Sequence, residues 1–295
     1  MDLPYVITHY GLIKIDLFNY IKIYYIYIIK MKNISPLRYP GGKTRACKIL
    51  NKILSEHFDM TKYTKLYSPF FGGGSFEFFI MNTYNYEIIA NDKFNPLYIF
   101  WKLCKTQNKD LCDKLYNCEN ITKEQFIKYR NEIMNINDEL TKAYYYFIIN
   151  RCSFSEATLS GGFSLESSKK RFTKSSIDRI SKLQLDKLSI SNLDFSDFLK
   201  KNIDGIIFLD PPYYLDKKSK LYGKNGDMHE NFNHMELFNI ISKKKNWIMT
   251  YNNCDYIKNL YKNFIIIECN WKYGMNKTKQ SSEIVIVSKD SLIIN

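Results

Sequence analysis

The chain is short of several residue types, and each shortage removes a class of protein. It has only 12 glycines and 7 prolines among 295 residues, too few for a collagenous or low-complexity chain. Cysteine occurs 7 times. No two cysteines form a Cys-x-x-Cys pair, so neither a zinc ribbon nor a dithiol redox motif is expected. An odd, unpaired set of thiols points to a reducing, intracellular compartment. Histidine occurs 4 times. His229 and His234 are five apart beside Glu230, which is too little for a metal site, and no metal is expected. No apolar run reaches the roughly 20 residues of a membrane span. Leu17 to Ile29 is rich in Ile and Tyr, but Lys22 interrupts it, Lys14 and Asp16 stand just before it, and no small-residue cleavage site follows. Residues 1–32 therefore read as an N-terminal extension of uncertain order, with an amphipathic surface helix as the alternative. No membrane partner is expected.

Alanine is also scarce, while Ile, Lys, Asn, Tyr and Phe abound. These are residues that AT-rich codons encode, so part of the lysine excess reflects coding. The net charge is still +13. A basic balance favours polyanions, because Lys and Arg neutralise phosphates and release counterions. A hydrophobic share of 45% excludes a disordered chain and suits one large domain with an insertion.

Short apolar runs ending in polar or Gly/Pro punctuation recur along the chain. They are Thr64–Tyr67, Tyr86–Ala90, Leu188–Ile190, Gly205–Leu209, Trp247–Tyr251, Phe264–Glu268 and Ile284–Ser288. Such runs read as buried strands. Helix-length segments between several of them predict an α/β fold with a mainly parallel sheet. Ligands of such folds sit beyond the carboxyl ends of the strands, where the polar punctuation falls. Residues 97–180 break the rhythm. Helices are expected over Leu97–Leu115, Thr122–Asn135 and Asp138–Ile149, with a capping box at Thr122 and Gln125. A Ser-, Gly- and Lys-rich stretch follows from Arg151 to Lys174. Residues 97–180 are read as an insertion into a core formed by 33–96 and 181–295.

Four segments carry candidate chemistry. Ser68-Pro-Phe-Phe-Gly-Gly-Gly-Ser75 follows a strand and precedes a helical stretch. It reads as a cofactor loop or as an ordinary Gly-rich turn. Asn91-Asp92 ends the next strand. A carboxylate there can accept both hydroxyls of a ribose, or it can cap the following helix. Arg38-Tyr39-Pro40-Gly41-Gly42-Lys43-Thr44 is not a P-loop, because position 37 is Leu where that motif needs Gly. Asp210-Pro211-Pro212-Tyr213 follows the apolar run ending at Leu209. Two prolines remove two backbone donors. A carboxylate and a carbonyl that accept the hydrogens of an aromatic amine aim its lone pair outward and stabilise the charge growing on nitrogen. An adjacent tyrosine ring can stack on a base that has left its duplex.

In this order the segments resemble the Dam-type (D12 class) family of DNA adenine-N6 methyltransferases, over about 33–290. Asn150-Arg-Cys-Ser-Phe-Ser155 with Leu159-Ser-Gly-Gly-Phe-Ser164, and Trp247–Asn252, extend the likeness. The resemblance implies a Rossmann-like core that binds S-adenosylmethionine, and a target-recognition role for the insertion. It implies cofactor contacts from Tyr39, Lys43, Phe70, Gly72, Gly74, Asp92, Asp194, Phe195 and Asp210, with Lys43 near the cofactor carboxylate. It implies that Asp210, Pro211, Pro212 and Tyr213 act on a flipped adenine in duplex DNA. Arg151, Lys169, Lys170, Arg171, Lys217 and Lys218 lie in or beside basic loops and are candidate phosphate contacts, against the reading of solvated lysine-rich loops. Lys243–Lys245 reads as a plain surface run. A cognate restriction endonuclease is a further partner that the resemblance raises. Two departures stand out. Ser68 replaces a usual acid, which weakens contacts at the methionine end of the cofactor. Glu156 replaces a frequent glycine. Methylation of cytosine N4 or of an RNA base, or a non-catalytic DNA-binding relic, are the alternatives. Asp210 in place of the serine common in cytosine-N4 enzymes argues for adenine.

Overall fold

The structure is a computed structural model that describes residues 5–8, 11–14, 33–39, 41–118, 120–154, 159–214, 232–271 and 281–290. Leu17–Ile29, Pro40, Glu156, Lys217, Lys218 and His229, singled out above, lie outside the described residues.

Two short strands, β1 (Tyr5–Thr8) and β2 (Gly11–Lys14), pair antiparallel with Tyr5 opposite Lys14. Part of the N-terminal extension, whose order the sequence left uncertain, is thus a hairpin. The main body begins with a short 3-10 turn, Lys43–Arg45, and helix α1 (Cys47–His57). Then come β3 (Lys65–Ser68), α2 (Ser75–Tyr84) and β4 (Glu87–Asn91). Helices α3 (Asn95–Thr106), α4 (Asn108–Tyr116), α5 (Lys123–Glu132), α6 (Glu139–Cys152), α7 (Leu165–Arg171) and α8 (Lys174–Ser181) follow. The chain closes with β5 (Leu188–Ser191), α9 (Phe195–Leu199), β6 (Ile206–Leu209), α10 (His234–Ile241), β7 (Trp247–Asn252), α11 (Asp255–Leu260), β8 (Ile265–Trp271) and β9 (Ser281–Val287).

The seven later strands form one sheet in the order β5-β4-β3-β6-β7-β9-β8. Neighbours from β5 to β7 are parallel, and β9 alone runs antiparallel, between β7 and β8. From β3 the chain adds strands first on one side, through β4 and β5, and then on the other, through β6. The order reverses between β3 and β6, which is where ligands bind in doubly wound sheets.

Alternate residues of each strand point to opposite faces, and each face has its own core. Leu66, Ile88, Ile206, Phe208 and Ile248 pack with α1, α2 and the helices of 95–181. Tyr67, Ile207, Leu209, Met249 and Tyr251 pack with α9, α10 and α11. The result is an α/β/α sandwich. Phe100, Trp101, Phe126, Phe147 and Ile148 belong to the first core, so the helices between β4 and β5 share their hydrophobic interior with the sheet.

Local chemistry explains most boundaries. Thr122 accepts from Gln125 N–H while the Gln125 side chain accepts from Thr122 N–H, closing the expected capping box. The single helix expected over 97–115 is two, broken at Gln107. Asn108 donates its amide to the carbonyls of Cys104 and Ile180, competing with the helical ladder at that point. The stretch around Ser167–Lys174, expected as loop, is largely helical. Ser164 caps α7 by accepting from Ser167 N–H, and Thr173 caps α8. Serine and threonine there start helices rather than loosening the chain. Among the described residues no helix is long and apolar enough to cross a membrane.

Candidate active site

The loop after β3 and the turn after β6 emerge side by side, because Leu66 and Tyr67 pair with Ile206 and Ile207. That register brings the glycine loop and Asp210 to the same edge of the sheet. The loop is built around two left-handed residues, Gly72 at φ +51° and Gly74 at φ +66°. A Cβ on Gly72 would stand 2.8 Å from Cε1 of Tyr39, and one on Gly74 would stand 2.6 Å from Cζ of Phe71. Glycine is therefore needed twice over, for backbone angle and for space. Tyr39 lies over the loop, and Trp101 Nε1 donates to the Gly72 carbonyl at 2.9 Å.

Asp92, at the end of β4, ties this loop to the neighbouring strand. Its Oδ2 accepts from Gly72 N–H and its Oδ1 from Phe94 N–H, each at 2.9 Å. Burial pushes its carboxyl up to about 6, against the two backbone donors, which favour the charged form. Each oxygen keeps acceptor capacity for a hydroxyl. Asp194 caps α9 and pairs with Lys93 at 2.8 Å, joining the ends of β4 and β5. Phe195, Phe70 and Phe232 form an aromatic trio with ring centres 5.2–5.7 Å apart.

Asp210 is held from two sides. Lys43 Nζ approaches Oδ1 at 2.8 Å and Oδ2 at 2.9 Å, and Thr250 Oγ1 donates to Oδ1 at 2.6 Å. Lys43 is 3% exposed and Asp210 23%, so the acid faces the cleft and the ammonium lies beneath. Lys43 also donates to the Gly41 carbonyl and lies 5.1 Å from the centre of the Tyr213 ring. Tyr213 in turn donates its hydroxyl to buried Glu283 on β9 at 2.7 Å. Pro211 is buried and Pro212 half-buried, continuing the turn between acid and ring.

The cluster thus unites Tyr39, Lys43, Phe70, Gly72, Gly74, Asp92, Asp194, Phe195 and Asp210–Tyr213 along one strand edge. Lys43 was expected near a cofactor carboxylate, and here it grips a carboxylate of the chain itself. Of the basic candidates, the described ones, Arg151, Lys169, Lys170 and Arg171, lie between β4 and β5. Lys169 and Lys170 are exposed on α7. Arg151 points inward, its guanidinium donating to the carbonyls of Arg171 and Pro36. Burial, with Arg38 and Arg179 nearby, lowers its pKa to about 10. It braces the end of α7 against the segment before the site, while Lys169 and Lys170 on that helix are exposed.

Sequence reasoning passed over Glu77, Trp101, Phe232, Thr250 and Glu283. A lone acid within the apolar run Ser75-Phe-Glu-Phe-Phe79 was a usable signal for Glu77, since buried carboxylates need a reason. Thr250 and Glu283 carried none, because their partners come from distant chain segments.

The donor set suits a cofactor that combines ribose hydroxyls, an aromatic base and positively charged centres. Asp92 offers acceptors, the phenylalanine rings offer faces, and Asp210 offers a partly exposed carboxylate. Among the described residues no group of three or more His, Cys, Asp or Glu is arranged to hold a metal ion. The model of the D12 class N6 adenine-specific DNA methyltransferase family matches residues 39–275, which spans the whole cluster. No curated protein matches the chain.

Proposed function

The chain belongs to the D12 class N6 adenine-specific DNA methyltransferase family, and from that premise we propose that it moves a methyl group from S-adenosylmethionine to N6 of an adenine flipped out of duplex DNA. The observation that carries this reading is the convergence of the Gly72–Gly74 turn, Asp92 and Asp210 where the strand order reverses, with Lys43 and Thr250 orienting the Asp210 carboxylate.

S-adenosylmethionine, when bound, supplies an electrophilic methyl group. Tyr39, Phe70, Gly72, Gly74, Asp92, Asp194 and Phe195 hold it. The chain prepares the nucleophile. An adenine amine is weakly basic, its lone pair spread into the ring. Asp210 accepts one of its hydrogens and the Pro211 carbonyl the other, which favours a pyramidal nitrogen. The same carboxylate stabilises the positive charge that grows on N6 and holds the proton the nitrogen gives up. Tyr213 stacks on the base and replaces the stacking lost on flipping. Positioning and electrostatics supply the rate, and no covalent enzyme intermediate is needed.

The test is incorporation of labelled methyl into duplex DNA, followed by nucleoside analysis for N6-methyladenine. Incorporation that disappears in Asp210→Ala and persists in Lys243→Ala, an exposed lysine between α10 and β7, supports the reading. DNA binding without incorporation supports a non-catalytic relic, and label in cytosine supports N4 chemistry.

A further inference from the structure

Glu77 has no task in the reaction described above, yet it lies in the same cluster. It belongs to the first turn of α2 and is 2% exposed. Ser68, fully buried at the end of β3, donates its hydroxyl to Glu77 Oε1 at 2.6 Å. Asp210, from the end of β6, and Lys43, from the 3-10 turn, both act electrostatically on this carboxyl. Cys47 of α1 faces it too, its own thiol pushed up to about 12 by burial and then by Glu77. From β3 the neighbour is Ser68, which does not titrate near neutrality. Position 68 was expected to leave the site short of a carboxyl, and α2 brings one to that serine instead.

We propose that Glu77, buried and bonded to Ser68, is a positioning residue for methyl transfer that keeps the Lys43–Asp210 pair aligned. The inference rests on the methyltransferase reading of Asp210. In a dry pocket one ammonium can compensate one carboxylate well, and a second ionised carboxylate leaves uncompensated charge. Burial pushes Glu77 up to about 8, while the Ser68 hydrogen bond and the backbone N–H of its own residue pull the other way. Below that pH the Lys43 ammonium belongs to Asp210. Above it, a second negative charge on Glu77 acts on both members of the pair, and Asp210 loses the orientation that accepts the N6 hydrogen.

The experiment is a pH profile of kcat and of KM for DNA, taken on both sides of pH 8, with infrared detection of a protonated carboxyl. The wild-type kcat is expected to fall with a midpoint near 8 while KM holds steady. Ser68→Ala moves that midpoint upward, because it removes a bond to the charged form. Glu77→Leu lowers kcat about tenfold or more at neutral pH. Glu77→Gln, neutral at every pH, restores most of that loss and lacks the alkaline fall. The infrared band of a protonated acid is present in the wild type at neutral pH and absent from Glu77→Gln. Superimposable wild-type and Glu77→Gln profiles, wild-type kcat in Glu77→Leu, or no such band overturns this role alone. A chain that methylates no DNA at any pH overturns the methyltransferase reading, and this role with it.

Discussion

Lys43 and Asp210 lie 167 residues apart in the chain, and the ammonium of one reaches both carboxylate oxygens of the other within 2.9 Å. The pair is asymmetric. Lys43 is enclosed, and Asp210 keeps one side toward the cleft. Removing either member therefore has different consequences.

Asp210→Ala abolishes the acceptor for N6 and is expected to lower kcat by about 10²–10³-fold or more. It also leaves a buried ammonium without its counter-charge. Lys43→Met leaves a carboxylate that water can still reach. Urea unfolding should show Asp210→Ala as the more destabilised of the two, by about 1–3 kcal/mol. Equal destabilisation would contradict the asymmetry.

Gly74→Ala forces a left-handed alanine against the Phe71 ring, 2.6 Å away. The backbone strain alone costs about 1–3 kcal/mol, and calorimetry should show weakened cofactor binding. Gly72→Ala meets Tyr39 instead. A Tyr39→Ala change in the same chain should recover part of the stability lost in Gly72→Ala and none of that lost in Gly74→Ala. Recovery in both would mean that the two glycines do not have separate neighbours.

Stability should fall as pH rises through the range where the native protein binds protons that the unfolded chain has released. For Glu77 that window runs from its ordinary 4.5 to about 8, and for Asp92 from 3.8 to about 6. The stability gap in favour of Glu77→Gln over wild type should widen by about 5 kcal/mol across the Glu77 window. Denaturant midpoints at several pH values measure it, and a constant gap refutes the raised pKa.

Tyr213 combines a ring in the cleft with a hydroxyl on Glu283. Tyr213→Phe keeps the ring and removes one partner of a buried carboxylate, costing about 1–3 kcal/mol of stability with methylation largely kept. Tyr213→Ala removes the stacking face, about 1–3 kcal/mol per base, and should lower kcat/KM on duplex DNA by about 5–150-fold. The loss should shrink when the target adenine is placed opposite a mismatch, because less stacking must then be replaced.

Lys169 and Lys170 are exposed on α7, whereas Arg151 is enclosed. If the two lysines touch phosphates, each Ala change should reduce the slope of log affinity against log salt by about 0.9. Arg151→Ala should lower the melting temperature and leave that slope unchanged. A changed slope in Arg151→Ala with unchanged melting would reverse the assignment.

The positions of all seven strands of the large sheet were readable in the chain, because each is a short apolar run with a polar stop. The strand–loop rhythm was also enough to collect Gly72, Asp92 and Asp210 at one edge. Capping chemistry was readable where it involves residues three apart, as at Thr122 and Gln125. The break at Gln107 was not, since Asn108 finds one of its acceptors, Ile180, in another helix. Nor was the inward turn of Arg151, whose partners are backbone carbonyls of distant segments. Charge on a side chain says nothing of the direction in which folding will point it.

The same limit applies within the site. Residue type and local order specified an acid after β6 and a lysine before α1. Only the reversal of strand order between β3 and β6 joined them, and only the crossing of α2 behind β3 delivered Glu77 to Ser68. Local patterns encode elements because their causes lie within one or two turns of chain. Ion pairs and buried acids depend on packing between segments far apart in the chain, and that is settled when the sheet closes.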